Sequence, residues 1–220
     1  MFRLDAENVY RVQMLEEIPW LEHGFGTRLS SHWPDTVNLA TVRQIHSNKI
    51  VIAEHPGDQG EGDALITNQT GIALAVRTAD CLPVLMADTR NRVVAAVHAG
   101  WRGTILEIVP KTVQAMADHF GTLPGDLAIA VGPGIGSCCF EVGPEVASQF
   151  SPFFPERCDL NTRTKVDLVE TNLRLLRRNG GSVGQIATTD LCSCCRTDLF
   201  DSYRRDHESA GRMVSIIRLR

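Results

Sequence analysis

The stretch LPVLMADTRNRVVAAV, residues 82–97, decides the fold. Two runs of strand-forming apolar residues flank Asp88, Thr89, Arg90 and Asn91, polar residues that suit a turn, so the stretch reads as an antiparallel hairpin. Antiparallel strands bring their outer ends together. Cys81 and His98, seventeen positions apart in the chain, therefore become neighbours through local topology alone.

Upstream, from Thr41 onward, strand-like runs alternate with turn signals: KIVIA, then PGDQGEGD, then ALIT, NQTG and IALAV. With the two arms of the hairpin these make about five strands. Downstream, Gly100 to Thr104 read as a turn. Ile105, Ile108, Val109, Val113, Met116, Ala117 and Phe120 then follow helical spacing up to a stop at Gly121, with Pro110 kinking or restarting the helix. DLAIAVGPGIG is a strand entering a glycine-rich turn, and GPEVASQF is a short helix. Leu168 to Arg178 form an amphipathic helix ending at Asn179-Gly180-Gly181, and QIATTD and RMVSIIRL are two late strands. A strand-rich centre with flanking helices predicts a mixed α/β sandwich.

The chain has 220 residues, a length that favours one domain, with 43% hydrophobic and 22% charged residues, which is ordinary globular usage. The net charge of −4, with basic residues scattered, gives no electrostatic footprint for nucleic acid and points to a small-molecule partner. No apolar run approaches the roughly 20 residues of a membrane span. The opening MFRLDAENVY lacks the order of a secretion signal, so a cytoplasmic location is expected. Seven cysteines, an odd number, read as thiols, metal ligands or core filler rather than a disulfide framework.

Three residues beside predicted strand ends attract attention as metal ligands: His46, Cys81 and His98. Two imidazoles and one thiolate are good zinc donors, and three protein ligands with a fourth position open is the pattern of a catalytic site. The same pair also fits a metal-free reading, with Cys81 as nucleophile and His98 as its base in a cysteine hydrolase.

The strings RQIHSNKIV, GDALITNQTGIALAVRTADCLPVLMAD, VVAAVHAGWRGT, GPGIGSCCFEVG and FDSYRRDHESAGRMVSII closely resemble the laccase-domain or polyphenol-oxidase-like family, also called the purine nucleoside phosphorylase family with a single Cys–His–His zinc site. The likeness runs from His23 to Ile217. It implies a cytoplasmic zinc enzyme that phosphorolyses adenosine, inosine, guanosine and methylthioadenosine and deaminates adenosine, with His46, Cys81 and His98 as metal ligands. It also implies an α-β-β-α sandwich in one domain, similar to the catalytic domain of cytotoxic necrotizing factors. One departure stands out. Between HGFGTR and VRQIHS most relatives carry a longer insert with a further helix, and here only LSSHWPDTVNLAT remains.

Within this resemblance, Asp80 and Asp63 are the candidate general bases, because the His-x-Glu and Pro-Cys-x-x-Cys signature of zinc deaminases is absent. Arg28, Arg43 and Arg204 can supply charge to phosphate. Gln44, two residues before His46, is expected on the same face of a strand and within reach of a ligand. Gly132, Pro133 and Gly136 read as a tight turn near the pocket, and Trp101 and Phe140 as core aromatics able to stack on a purine. Cys192 and Cys195 with Cys138 and Cys139 suggest a second zinc, but their spacing supplies no matched partners, so they read as structural thiols. Rival functions are a Cys–His hydrolase or amidase that edits peptidoglycan precursors, a copper polyphenol oxidase, and a non-enzymatic binding module. The copper reading asks for many His ligands from a chain that has seven, scattered singly.

Overall fold

A computed structural model of the chain describes residues 1–34, 37–180 and 184–220. In chain order the elements begin with β1 (Phe2–Leu4), β2 (Val9–Val12), α1 (Gln13–Glu16), β3 (Leu21–Gly26), β4 (Leu39–Arg43), β5 (Ile50–Ile52), β6 (Gly57–Glu61), β7 (Ala64–Thr67) and β8 (Ala73–Thr78). The central hairpin is β9 (Leu82–Asp88) and β10 (Val93–Ala99), followed by α2 (Trp101–Ile105), α3 (Ile108–Phe120) and β11 (Leu127–Val131). The remainder is β12 (Glu141–Val142), α4 (Pro144–Ala147), β13 (Thr164–Lys165), α5 (Leu168–Gly180), β14 (Gln185–Ala187), α6 (Tyr203–Asp206) and β15 (Met213–Leu219).

The hairpin forms as its sequence requires. β9 and β10 pair antiparallel from Val93 opposite Asp88 to Ala99 opposite Leu82. Asp88 closes the turn by accepting from the amides of Arg90 and Asn91 at 2.8 and 2.9 Å. Both arms are buried along their whole length because the hairpin sits in the middle layer of the molecule.

Two sheets stack face to face. The first has the order β1-β2-β3-β15-β8-β4-β6 and the second β14-β11-β9-β10-β7-β5. Alternation along each strand of the second sheet sends its side chains to two separate cores. Val84, Met86, Val97, Ile129 and Val131 pack with Ile108, Val113 and Met116 of α3. Leu85, Ala87, Ala96, Ala128 and Ala130 face Phe25, Leu74, Val76 and Ile217 of the first sheet. Leu65 and Val94 complete this buried inward set, four of whose seven residues are alanine, so short side chains make up much of the face that meets the first sheet.

The outer face of the first sheet is met by the segment before His46. Its apolar cluster, Ala73, Ala75 and Ile216, packs with Leu39 and Val214 of the same sheet and with Trp33, and among the described residues none of these is helical. The Trp33 ring lies against β3, where a Cβ at Gly24 or Gly26 would come within 2.6 or 2.9 Å of it. Its indole N–H donates to the Val214 carbonyl at 3.1 Å, and the Arg11 guanidinium stacks 4.5 Å from its centroid. One indole thus covers part of this face.

Some local expectations change. PGDQGEGD, read as a turn, contains β6, which pairs parallel with β4 at the sheet edge and has no apolar pattern because it is largely exposed. Gly100 to Thr104 are not a turn: Gly100 stands at the N-terminus of α2. The chain restarts at Glu107, whose φ of 62° breaks the helix, so Pro110 falls in the first turn of α3, where its missing N–H costs nothing. The α3 stop is Gly121 in the left-handed conformation. The predicted α5 stop includes Gly181, which lies outside the described residues. Among the described residues no helix is long and apolar enough to cross a membrane.

Replacing Trp33 by Ala removes a large side chain that packs over this face. The expected cost is about 2 kcal/mol, close to the burial of one large apolar side chain, read as a lower urea midpoint at unchanged slope.

Candidate functional site

Three connections cross from the first sheet to the second: residues 44–49 between β4 and β5, 62–63 between β6 and β7, and 79–81 between β8 and β9. Each delivers one polar residue to a common cluster, His46, Asp63 and Cys81, and His98 joins them from the end of β10. The ligand-type atoms of His46, Cys81 and His98 all lie within 4.8 Å of one another, and the two imidazoles meet edge to face at 4.9 Å.

Backbone space matters as much as donor identity. A Cβ on Gly100 would lie 2.8 Å from Cys81 Sγ and 3.1 Å from His46 Cδ2, so only glycine leaves the three donors room to converge there. His46 itself holds a φ of 58°, unusual for a residue with a side chain.

Asp63 stabilises that conformation. Its carboxylate accepts from the amides of His46 at 3.0 Å and Ser47 at 2.6 Å, and from the Ser47 hydroxyl at 2.7 Å. The same carboxylate accepts from His98 Nδ1 at 2.9 Å, and the His98 amide donates to the Asp63 carbonyl at 2.7 Å. Nδ1 is thereby committed as a donor, which leaves Nε2 of His98 with its lone pair free for an ion or a proton.

The charges follow from this packing. Burial alone would raise Asp63, but the His98 and Ser47 hydrogen bonds outweigh it and bring the carboxyl to about 2. Burial alone would lower His98, yet hydrogen bonds to Asp63 and Cys81 lift it to about 9. Cys81 would rise on burial, but hydrogen bonding from His46 and then His98 draws the thiol down to about 7. These shifts favour an imidazolium between a carboxylate and a thiolate in the metal-free cluster, and a divalent cation bound there would replace its protons.

These donors open onto a cleft of about 800 Å³. Arg43, Arg77, Arg102, Arg204 and Arg212 line it, and among the described residues only Arg43 has a carboxylate partner, Glu61 at 2.6 Å. Trp101, Ile135, Phe140 and Leu168 add apolar surface. The cleft therefore offers cationic and apolar lining beside the cluster, suited to a ligand that carries both an anion and a flat apolar ring.

The sequence-derived candidates divide on this geometry. Asp80, Arg43, Gln44 and Arg204 line the cleft with the three donors. Asp80 is nonetheless tied down, its two oxygens accepting from Ser193 Oγ at 2.7 Å and the Arg204 amide at 2.6 Å. Asp63 is fully buried behind His98 and does not reach the cleft, so its placement argues against a general base. Arg28 lies elsewhere, donating to the Thr197 carbonyl at 2.9 Å. The strand argument for Gln44 fails because β4 ends at Arg43; its amide instead pairs with both backbone groups of Arg77 at 2.8 Å. Gly132, Pro133 and Gly136 do not line the cleft, and a Cβ at Gly132 would strike the Phe25 ring at 2.2 Å. Arg77, Arg102, Tyr203, His207 and Arg212 were overlooked, although all lie in the strings RTADC, GWRG and YRRDHESAGR. A count of cationic residues flanking the donors would have found the arginines.

Two measurements test this geometry. For the metal-free chain, the Asp63–His98 pair contributes full stability between about pH 4 and pH 6.5. The contribution is lost below pH 4 as Asp63 protonates toward its depressed value of about 2, and above 6.5 as His98 loses its proton toward about 9. Urea unfolding across pH should show the acid limb, which Asp63→Asn should lack; on the alkaline side the His98 loss is offset by Cys81, whose thiol is drawn down to about 7 and gives up its proton over the same range. Separately, Gly100→Ala should fold yet weaken metal affinity by about tenfold or more, measured by competition with a chromogenic chelator.

Residues 27–220 match the family profile described as "Multi-copper polyphenol oxidoreductase laccase". A Deinococcus radiodurans protein named purine nucleoside phosphorylase is 41% identical over 187 residues, covering 83% of this chain and 70% of that protein. A Clostridium acetobutylicum protein of the same name is 35% identical over 187 residues, covering 84% and 78%. Among solved structures, the Bacillus licheniformis hypothetical protein YfiH superposes with a TM-score of 0.89 at 26% identity, over 100% of this chain and 99% of that one. With that extent of match, the chain belongs to the multi-copper polyphenol oxidoreductase laccase family.

Proposed function

We propose that the chain is a zinc-dependent purine nucleoside phosphorylase acting on adenosine, inosine, guanosine and methylthioadenosine, with adenosine deamination as a second activity. The observation that carries this reading is the union of a Cys–His–His cluster and a cleft in which, among the described residues, four of five lining arginines have no carboxylate partner. The names of the Deinococcus and Clostridium relatives support the substrate class.

His46, Cys81 and His98 would hold the ion, and two imidazoles with one thiolate suit zinc better than a hard cation. Zinc held by these three residues would supply a Lewis acid able to polarise an oxygen of water or phosphate. Asp63 acts as a positioning residue, fixing the His98 tautomer and the His46 turn. Arg77, Arg102, Arg204 and Arg212 hold phosphate and the negative charge it carries toward the sugar. In phosphorolysis a phosphate oxygen forms the bond to C1′ as the C1′–N9 bond breaks, and the purine leaves with the electron pair and takes up a proton. Trp101 and Phe140 offer faces for the base.

Copper oxidase chemistry, named in the family description, fits the donor set poorly. Among the described residues the two candidate metal clusters contain two imidazoles in one and none in the other, far from a multi-His copper centre. A second reading has a specific observation in its favour: Cys81, His98 and Asp63 stand in the order of a nucleophile, base and orienting carboxylate, as in a cysteine hydrolase or an amidase acting on peptidoglycan precursors. His46 has no task in that triad.

Incubation of the zinc-loaded chain with inosine and phosphate should yield hypoxanthine and ribose 1-phosphate, and adenosine without phosphate should yield inosine. Both activities should fall at least about 1,000-fold in His98→Ala and disappear on chelation. Full activity after chelation, with loss only on Cys81 alkylation, would establish the hydrolase instead.

A further inference from the structure

We propose that Cys138, Cys139, Cys192 and Cys195 form a second metal site, a closed four-sulfur centre for zinc that fixes one wall of the cleft. The spacing along the chain gave these cysteines no matched partners. The fold supplies them: all four sulfurs lie within 4.8 Å of one another.

A parallel bridge joins Gly134 to Cys192, and the Ser193 amide donates to the Gly134 carbonyl at 2.8 Å. These bonds set the loop carrying Cys138 and Cys139 against the loop carrying Cys192 and Cys195. Cys195 Sγ lies 3.3 Å from Cys139 Sγ and 3.6 Å from Cys138 Sγ. Sulfurs bound tetrahedrally at about 2.3 Å from one zinc stand about 3.8 Å apart, whereas a disulfide requires about 2.05 Å. One sulfur near two others is also a pattern that a single disulfide leaves half satisfied and a shared ion satisfies fully.

A backbone amide meets one of the four sulfurs. The Gly136 amide donates to Cys192 Sγ at 3.2 Å. Such an N–H···S bond offsets negative charge on that sulfur and orients it. Gly136 leaves the space for the sulfurs, since a Cβ there would lie 3.2 Å from Cys138 Sγ and 3.5 Å from Cys192 Sγ. No oxygen donor belongs to the cluster, which favours a thiophilic ion over magnesium or calcium, and four protein ligands leave no position for substrate.

Its role follows from what the two loops touch. The Ile135 amide donates to the Asp80 carbonyl at 2.7 Å and Ser193 Oγ to the Asp80 carboxylate at 2.7 Å, so both loops hold the residue preceding Cys81. Ile135 and Phe140 line the cleft itself. Zinc at the four cysteines would lock this wall as a staple, without entering the chemistry.

The test uses the full chain purified under reducing conditions with zinc supplied. Elemental analysis should give two zinc ions per chain, falling to one in Cys138→Ser/Cys195→Ser and to one in Cys81→Ser/His98→Ala. Because the second variant lacks the first site, it should still bind one cobalt ion and show the strong charge-transfer absorption of a tetrahedral cobalt–thiolate centre. A single zinc in the parent chain with no change in Cys138→Ser/Cys195→Ser overturns the proposal. So does a cobalt-treated Cys81→Ser/His98→Ala chain without thiolate charge transfer, or peptide mapping that finds Cys195 disulfide-linked to Cys138 or Cys139. Should the serine variant not accumulate, the zinc count of the parent chain and the cobalt spectrum decide the matter by themselves.

Discussion

One carboxylate organises the site. Asp63 binds the backbone of the turn that carries His46 and the ring of His98, so the two imidazoles are placed by a single side chain. It can do so only because it is itself held between β6 and β7, with its amide donating to the Lys49 carbonyl at 2.9 Å and its carbonyl receiving the His98 amide. A buried charge with this many donors is stabilised in place, whereas the same carboxylate without them would be costly. Cys81 is then drawn toward the thiolate by the imidazoles Asp63 has oriented. The acid–base state of the cluster is thus a consequence of backbone geometry two connections away.

What could be read in advance tracks how local each interaction is. The β9–β10 hairpin, and with it the meeting of Cys81 and His98, follows from sixteen consecutive residues and needs no knowledge of the rest. His46 was legible as a donor type beside a strand end, but its left-handed backbone was not, because the carboxylate that stabilises it lies in another connection. Asp63 was singled out and assigned to proton transfer; its burial and its amide partners, invisible in a string of letters, point to orientation instead. β6 escaped because an exposed edge strand has no apolar period to detect, and β3 because its outward positions are glycines shaped to the Trp33 ring. The four-cysteine cluster escaped for a related reason: its halves lie more than fifty residues apart and meet through a single bridge.

Electrostatics divide the cleft from the rest of the surface. The chain is net negative, yet the arginines facing the cleft stand largely without carboxylate partners, so a positive field is concentrated over the donors in an otherwise acidic protein. Leaving guanidinium groups without carboxylate partners in a concave, partly apolar site is unfavourable for folding and favourable for capturing an anion, the usual exchange of stability for binding. The apolar wall opposite them comes from side chains that also belong to the core around α3 and α5, which gives that wall the rigidity of the interior.

The alanine-lined seam between the two sheets has a mechanical consequence. His46, Asp63 and Cys81 ride on chain segments that step from one sheet to the other, so their separation is governed by the gap between the layers. A bulkier residue at Ala87 or Ala128, at the opposite end of the strands, would act as a wedge in a tightly filled seam. Tilting the layers by even a small angle would be magnified along the strand length, so catalytic geometry in this protein is hostage to methyl groups that never approach a ligand.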